Sequence, residues 1–280
     1  MTTICICGAG TMGSGIAQVS ATAGFKTILF DVNDEVIQKA KNKIEKDLQV
    51  LVEKQKILSS KKEDILEKFV FTSNINDCIA DLIIEAVIEK SEVKISLFNQ
   101  LAALNNDETI FATNTSSLSV SAIAKEILNP ERVAGLHFFN PAPIMKLVEV
   151  VKGEQTSDET ISQLTNLTKA LEKTPVVCKD SPGFIVNRVA RPYYIESLRL
   201  VEEGVTSLEI IDRLLESKGF KMGPFKLMDL IGNDVNYAVS SSVYEQLNQP
   251  ERLKPSPIQK EKVEKGELGK KTGKGYYDYK

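Results

Sequence analysis

His137 is the only histidine in the chain, and Glu149 stands twelve positions after it. Imidazole is the one side chain whose ordinary pKa lies near neutrality, so a lone copy is the natural candidate for reversible proton transfer. A carboxylate beside it would fix its tautomer and favour the protonated form. Such a pair suits a reaction in which a proton leaves or joins an oxygen while other chemistry proceeds at carbon. The intervening residues, Phe138-Phe-Asn-Pro-Ala-Pro-Ile-Met145, form a Pro-rich turn, and the apolar run 147–151 then returns with Glu149 in its middle. The two side chains can therefore meet. Against this stands a plainer reading: a solitary histidine is often a hydrogen-bonded structural residue, and Glu149 can be a strand-face acid paired with Lys146 or Lys152.

The N-terminus supplies a reason to prefer chemistry. Thr3-Ile-Cys-Ile-Cys7 is a short apolar run that fits a buried parallel strand, and it enters Gly8-Ala-Gly10-Thr11-Met12-Gly13. Gly8 allows a tight turn, Gly10 leaves no Cβ between backbone and a pyrophosphate, and Gly13 lets the following helix, Met12 to about Ala23, pack closely. The helix start, with Thr11 and Met12, presents free N–H groups and partial positive charge to phosphates. A second strand, Lys26–Phe30, ends in Asp31, eighteen positions after Gly13. An acid there can accept both hydroxyls of an adenosine ribose and repel a 2′-phosphate, which favours NAD over NADP. The alternative for Asp31 is a helix N-cap or turn residue ahead of Asn33 and Asp34.

The elements that must position these residues follow from the whole chain. At 280 residues it is long enough for two domains, and with 42% apolar residues, 26% charged and a net charge of −3 it reads as an ordinary soluble protein. That balance argues against nucleic acid or an anionic membrane as partner. No apolar run approaches the ~20 residues of a bilayer span, and no signal segment precedes the first strand, so a cytoplasmic location is expected. Cys5 and Cys7 alternate on one buried strand, while Cys78 and Cys178 lack the clustered spacing of a metal site. All four read as reduced core thiols, with no metal expected.

Strands are predicted at 3–7, 26–30, 69–71, 82–87, 110–112, 133–136, 147–151 and 175–178. Helices alternate with them at 35–56, 91–104, 119–127 and 158–172, with a charged turn at 59–63. This is the pattern of an α/β fold with a doubly wound, mostly parallel sheet. Beyond Pro182 the strand signal stops, and 184–203, 207–217, 224–247 and 256–265 read as helices. The expected division is a Rossmann-like nucleotide domain over 1–183 and an all-helical domain over 184–280.

The motifs GAGTMGSGIAQ (8–18), EAVIE (85–89), ATNTSSL (112–118), GLHFFNPAPIMKLVEVV (135–151), KDSPGFIVNR (179–188), MGPFKLMDLIG (222–232) and GKKTGKGYYDY (269–279) keep their order across nearly the whole chain. In them the sequence resembles the L-3-hydroxyacyl-CoA dehydrogenases, and among those the short bacterial 3-hydroxybutyryl-CoA dehydrogenases. The resemblance implies NAD as cofactor, an acyl-CoA substrate, oxidation of an L-3-hydroxyacyl-CoA to the 3-ketoacyl-CoA or the reverse, and a homodimer formed through the helical domain. It matches His137 and Glu149 to the family's catalytic pair, and Ser116 and Asn187 to the rest of its site.

Chemically, a serine in the turn after an apolar strand can hydrogen-bond the substrate oxygen, and hydride transfer asks for no covalent intermediate. Asn187, an uncharged amide early in the first helix of the second domain, can hold the imidazole or the thioester end of the substrate. The alternative for this serine turn is a helix cap, provided by Ser117 or Ser119. The resemblance also matches Asn114, Glu89 and Lys94 to contacts of the nicotinamide half of NAD. For the last two the alternative is a strand-end acid and an i,i+5 pair on a solvated helix. It further places a CoA contact in the lysine-rich helix bearing Lys43, Lys46, Lys54 and Lys56, with Lys54 the best single choice. Lys226 and Asn233 depart from the family's usual residues, without touching this set. Two rivals carry different functions: a dehydrogenase of free hydroxyacids, whose catalytic residue is commonly a lysine in the helical domain, and a non-enzymatic NAD-binding protein of the same fold.

Overall fold

The apolar run Thr3–Cys7 is the first strand (β1) of the computed structural model, which describes residues 1–279. Seven more follow: β2 (Lys26–Phe30), β3 (Phe69–Thr72), β4 (Leu82–Glu85), β5 (Ile110–Thr113), β6 (Val133–Phe138), β7 (Leu147–Lys152) and β8 (Thr174–Lys179). They form one sheet in the order β3-β2-β1-β4-β5-β6-β7-β8. Every neighbouring pair is parallel except β6 and β7. Successive strands wind outward in one direction from β1 and in the other from β4, so the carboxyl ends of β1 and β4 flank a topological switch point, where open α/β sheets bind ligands.

Helices α1 (Thr11–Thr22), α2 (Asp34–Glu53), α3 (Ser59–Leu66), α4 (Ser91–Leu104), α5 (Val120–Ala124) and α6 (Asp158–Ala170) connect the strands. Alternate residues of β1 serve opposite faces of the sheet. Ile4 and Ile6 join Leu29, Ile84 and the α1 and α2 side chains on one face, whereas Cys5 and Cys7 join Ile28, Ile83, Phe98 and Phe111 on the other. The amphipathic α2 buries Ile37, Ala40, Ile44 and Leu48, a spacing of three and four, and turns its lysines outward.

The chain divides into a unit of Met1–Asp180 and a second unit from Ser181 onward. The second holds α7 (Val186–Glu202), α8 (Leu208–Ser217), α9 (Pro224–Ile231), α10 (Asn233–Gln246) and α11 (Pro257–Glu264). Its core is built on Tyr194, Leu198, Ile211, Phe225 and Met228. Two fully buried acids organise it. Asp212 accepts from the backbone N–H groups of Phe225 and Lys226, both at 3.0 Å, and so caps α9, and it also accepts the Tyr277 hydroxyl at 2.9 Å. Asp229 accepts from the backbone of Tyr276 and Tyr277, each at 2.9 Å, and from the Tyr279 hydroxyl at 3.0 Å, which pins the GKGYYDY stretch.

Several elements differ from the sequence expectation. The charged turn at 59–63 is the start of α3, a helix whose N-cap is Leu58 and which buries only Ile65, so neither a polar cap nor an apolar stripe announced it. The single helix expected over 224–247 is two, broken at Gly232, whose φ of +105° no helix admits. Strand β4 ends at Glu85 rather than continuing to Val87, because the Glu85 carboxylate accepts the Val87 N–H at 2.8 Å and turns the chain. Cys78, read as a core thiol without clustered spacing, meets Cys5 and Cys7 in the interior. The two departures from the family's pattern make local contacts: Lys226 pairs with Glu216 at 2.9 Å, and the side-chain amide N–H of the buried Asn233 donates to Asp229 at 2.9 Å.

Candidate active site

The turn after β1 sits at the switch point. Gly8 has φ +102°, and a Cβ there would lie 2.7 Å from the Ala86 carbonyl oxygen at the end of β4. A Cβ on Gly13 would fall 1.7 Å from the Gly8 carbonyl oxygen, so any side chain at this position would force α1 away from the turn. At Gly10, by contrast, a Cβ would meet nothing within 4 Å; it would project into open space above the turn. Gly10 is also the N-cap of α1 and offers no side chain to the first N–H groups at Thr11 and Met12, which suits them to an anion.

Asp31 stands beside this turn at the end of β2. Its Oδ2 accepts the Ala9 N–H at 2.8 Å and its Oδ1 that of Asn33 at 3.1 Å. The N-cap of α2 is Asn33, not Asp31. Asp31 lines an open, mainly apolar cavity of about 750 Å³ together with Gly8, Gly10, Phe30, Ile75 and Val87. A carboxylate at one wall, apolar sides for a flat ring, and a glycine turn with unblocked N–H groups are what an adenosine diphosphate half requires. The residues present fit NAD.

The second cluster lies further along the same carboxyl edge. His137 and Glu149 are direct cross-strand partners in the antiparallel β6–β7 register. His137 Nδ1 lies 2.7 Å from Glu149 Oε2, with His137 5% exposed and Glu149 fully buried. Facing residues of an antiparallel pair point to the same side of the sheet, which is why a separation of twelve brings them into contact. The Phe139 ring is tilted against the imidazole, with centroids 4.5 Å apart. Asn114, just past β5, accepts the Phe138 N–H through its side-chain oxygen at 2.8 Å and so ties the end of β6 to its neighbour.

The turn that joins β6 to β7 is held from outside by a residue the sequence did not single out. Lys173 is buried, and its ammonium donates to the carbonyl oxygens of Ala142 at 2.6 Å and Met145 at 2.9 Å. Burial, with the Lys146 charge in second place, holds its pKa below the ordinary lysine value.

Glu89 connects to the turn after β5 by accepting the Ser116 N–H at 3.0 Å and the Ser117 hydroxyl at 3.2 Å, and it also accepts the Thr115 hydroxyl. Behind it lies Lys94, 1% exposed, its ammonium 2.6 Å from Glu85 and 3.1 Å from Glu89. Glu85 is fully buried and also accepts the Thr113 hydroxyl at 2.7 Å. The i,i+5 pair considered as an alternative does form, but with its lysine buried and not on a solvated helix face. Burial pushes the Glu89 carboxyl up, but the Lys94 ammonium and then the Thr115 hydroxyl outweigh it and hold its pKa below the usual carboxylate value. Glu85 went unnoticed in the sequence because nothing in an apolar strand marks one acid as the partner of a lysine nine positions on.

Of the remaining residues, Ser119 is the N-cap of α5, leaving Ser116 in the turn itself. Lys54 is exposed at the C-cap of α2, while Lys43 is paired with Asp47. Asn187 belongs to the first turn of α7, in the second unit.

Comparison with known proteins gives these sites a context. The family model for the 3-hydroxyacyl-CoA dehydrogenase NAD binding domain matches residues 3–181, and that for the 3-hydroxyacyl-CoA dehydrogenase C-terminal domain matches residues 183–279. The chain is 49% identical over 280 residues to the 3-hydroxyadipyl-CoA dehydrogenase of Escherichia coli (strain K12), across 99% of this chain but 59% of that protein. It is 40% identical to a probable 3-hydroxybutyryl-CoA dehydrogenase of Deinococcus radiodurans, covering 98% of this chain and 99% of the relative. The crystal structure of (S)-3-hydroxybutyryl-CoA dehydrogenase from Ralstonia eutropha superposes with a TM-score of 0.96 at 36% identity, over 100% of this chain and 99% of that one.

Proposed function

The chain belongs to the 3-hydroxyacyl-CoA dehydrogenase family, and from that premise we propose that it interconverts a short L-3-hydroxyacyl-CoA and the 3-ketoacyl-CoA with NAD, using His137 as general acid and base. The observation that carries this reading is the buried 2.7 Å contact between His137 Nδ1 and Glu149, at the same sheet edge as the glycine turn. Because Nδ1 is committed to the carboxylate, the proton moves at Nε2. In the oxidative direction Nε2 takes the hydroxyl proton of the substrate, and Glu149 stabilises the resulting imidazolium. Bound NAD supplies the acceptor for the hydride that leaves C3.

The remaining residues orient the reactants. Ser116 bonds the substrate oxygen, and Asn187 is the residue of the helical unit assigned to the substrate. Asn114, Glu89 and Lys94 hold the nicotinamide half, while Gly8, Gly10, Thr11, Met12, Gly13 and Asp31 hold the adenosine diphosphate half. The exposed lysines of α2, Lys54 first among them, give the phosphates of CoA a basic surface. The four thiols, none in a disulfide, support a reducing, cytoplasmic location.

A steady-state comparison tests the reading. Acetoacetyl-CoA with NADH is expected to turn over well, free acetoacetate poorly, and NADPH to give a far lower kcat/KM because Asp31 opposes a 2′-phosphate. Comparable rates with free acetoacetate would exclude the acyl-CoA assignment, and equal use of the two cofactors would exclude the role given to Asp31.

The helical unit carries the homodimer in this reading. Val189 is 73% exposed, Leu214 57%, Leu230 51% and Phe220 50%, apolar side chains that a second copy would cover. Light scattering at micromolar concentration should return twice the chain mass; a monomer with full activity would remove the dimer from the proposal.

A further inference from the structure

Glu149 holds the catalytic imidazole at Nδ1, whereas the proton is exchanged at Nε2. A hydrogen bond at one ring nitrogen does not by itself set the tilt of the ring, and the tilt decides where the other nitrogen points. Phe139 bears on that tilt, its ring packed at 52° against the imidazole with centroids 4.5 Å apart. It is the first residue past β6, so its place depends on the loop 139–146 that leads to β7. We propose that Lys173 is a positioning residue of the active site, which clamps this loop and through Phe139 fixes the direction of His137 Nε2. The role rests on the dehydrogenase activity proposed above.

Lys173 grips the loop as a unit. The N–H groups of Ile144 and Met145 both donate to the Pro141 carbonyl oxygen at 3.0 Å, which closes 141–145 into one turn. The buried ammonium donates to two carbonyl oxygens of that turn, Ala142 at 2.6 Å and Met145 at 2.9 Å. Two attachments restrict both the shift and the swing of a closed turn. Lys173 is itself anchored, since its backbone N–H donates to Thr168 at 3.0 Å and that of Thr174, which opens β8, donates to Lys146 at 2.7 Å. On its other side the turn rests on α1, where a Cβ added to Gly15 would lie 3.2 Å from Pro143 Cδ and 3.3 Å from Ala142 Cβ. The turn is thus held between a buried ammonium and the helix that opens at the glycine turn. Such a clamp matters because β5 pairs with β6 only as far as Gly135, two residues short of His137. Misplacing a catalytic group by about 1 Å can cost on the order of 10²-fold in rate.

The test measures steady-state reduction of acetoacetyl-CoA by NADH with the full chain, folding being checked by circular dichroism. Lys173→Met should lower kcat at least ~10-fold and leave the KM for NADH within about twofold of wild type. With NADH deuterated at the transferred position, its isotope effect on kcat should be at least as large as the wild type's. Phe139→Leu should lower kcat too, and adding Lys173→Met to it should cost less than about threefold more, because both changes act along one route. A folded Lys173→Met protein with wild-type kcat, a loss confined to KM, a smaller isotope effect, or losses that multiply in the double variant would overturn the proposal. Should Lys173→Met fail to fold, Gly15→Ala decides. Its methyl group presses on Ala142 and Pro143 from the other side, so kcat should fall at unchanged KM for NADH, and a wild-type kcat would overturn the clamp. A wild-type chain that reduces no acetoacetyl-CoA would be a different failure, of the dehydrogenase activity itself and of the clamp with it.

Discussion

His137→Gln lowers kcat by at least ~10²-fold in both directions while leaving NADH affinity nearly unaltered. Glutamine fills a similar volume and can still bond Glu149, so strand pairing is kept; what it cannot do is carry a proton at the position of Nε2. The residues assigned to the adenosine diphosphate half lie at the ends of β1 and β2 and the start of α1, and are not expected to move. Glu149→Gln should produce a smaller loss of kcat, since the imidazole remains but loses the charge that stabilises its protonated form. Stopped-flow measurement of NADH oxidation, with NADH titrated by fluorescence, separates the two effects. A His137→Gln protein with wild-type turnover would make the histidine structural and deprive the proposed mechanism of its proton donor.

Lys94→Met is the second substitution with a large expected effect, and it acts on stability. Lys94 is 1% exposed between two carboxylates, one of them fully buried. Removing one partner of a buried ion pair leaves an uncompensated charge and costs about 3–5 kcal/mol. The loss has a pH signature. Because Glu89 titrates below its ordinary value, its contribution is present above the unfolded-state pKa, near 4.3, and disappears as pH falls through the lowered folded value. The variant lacks that contribution, so its deficit against the wild type should be full at neutral pH and shrink below about pH 4.5. Urea denaturation at pH 7 and pH 4 measures both. A deficit that stays constant between these two would show that Lys94 acts by packing and not by charge.

How much of this was legible beforehand depends on the range over which each signal acts. The glycine turn, Asp31 and the alternation of strands and helices are local patterns, and the order of β1, β2 and β4 around the switch point follows from them. The contact of His137 with Glu149 could be read because a hairpin is the shortest long-range structure a chain makes. Lys94 lay beyond reach: its sequence neighbours suggest a surface helix, and only the packing of α4 on β4 and β5 buries it. That Cys78, read as a core thiol, meets Cys5 and Cys7 lay beyond reach for the same reason, since more than seventy positions separate it from the alternating pair on β1. The helix at 59–66 and the break at Gly232 were missed differently, since their decisive features are a cap that forms without a polar side chain and a backbone angle.

The antiparallel pairing of β6 with β7 has a bearing on how such a protein can diverge. Since His137 and Glu149 face each other in register, their separation is set by the ladder between β6 and β7 and not by the loop that joins them. A one-residue slip of either strand would send one of the pair to the opposite face. The loop is held separately, by Lys173 at its Ala142 and Met145 carbonyls and by the burial of Ala142. Its exposed positions, such as Ile144, can thus drift while the histidine and its carboxylate keep their distance.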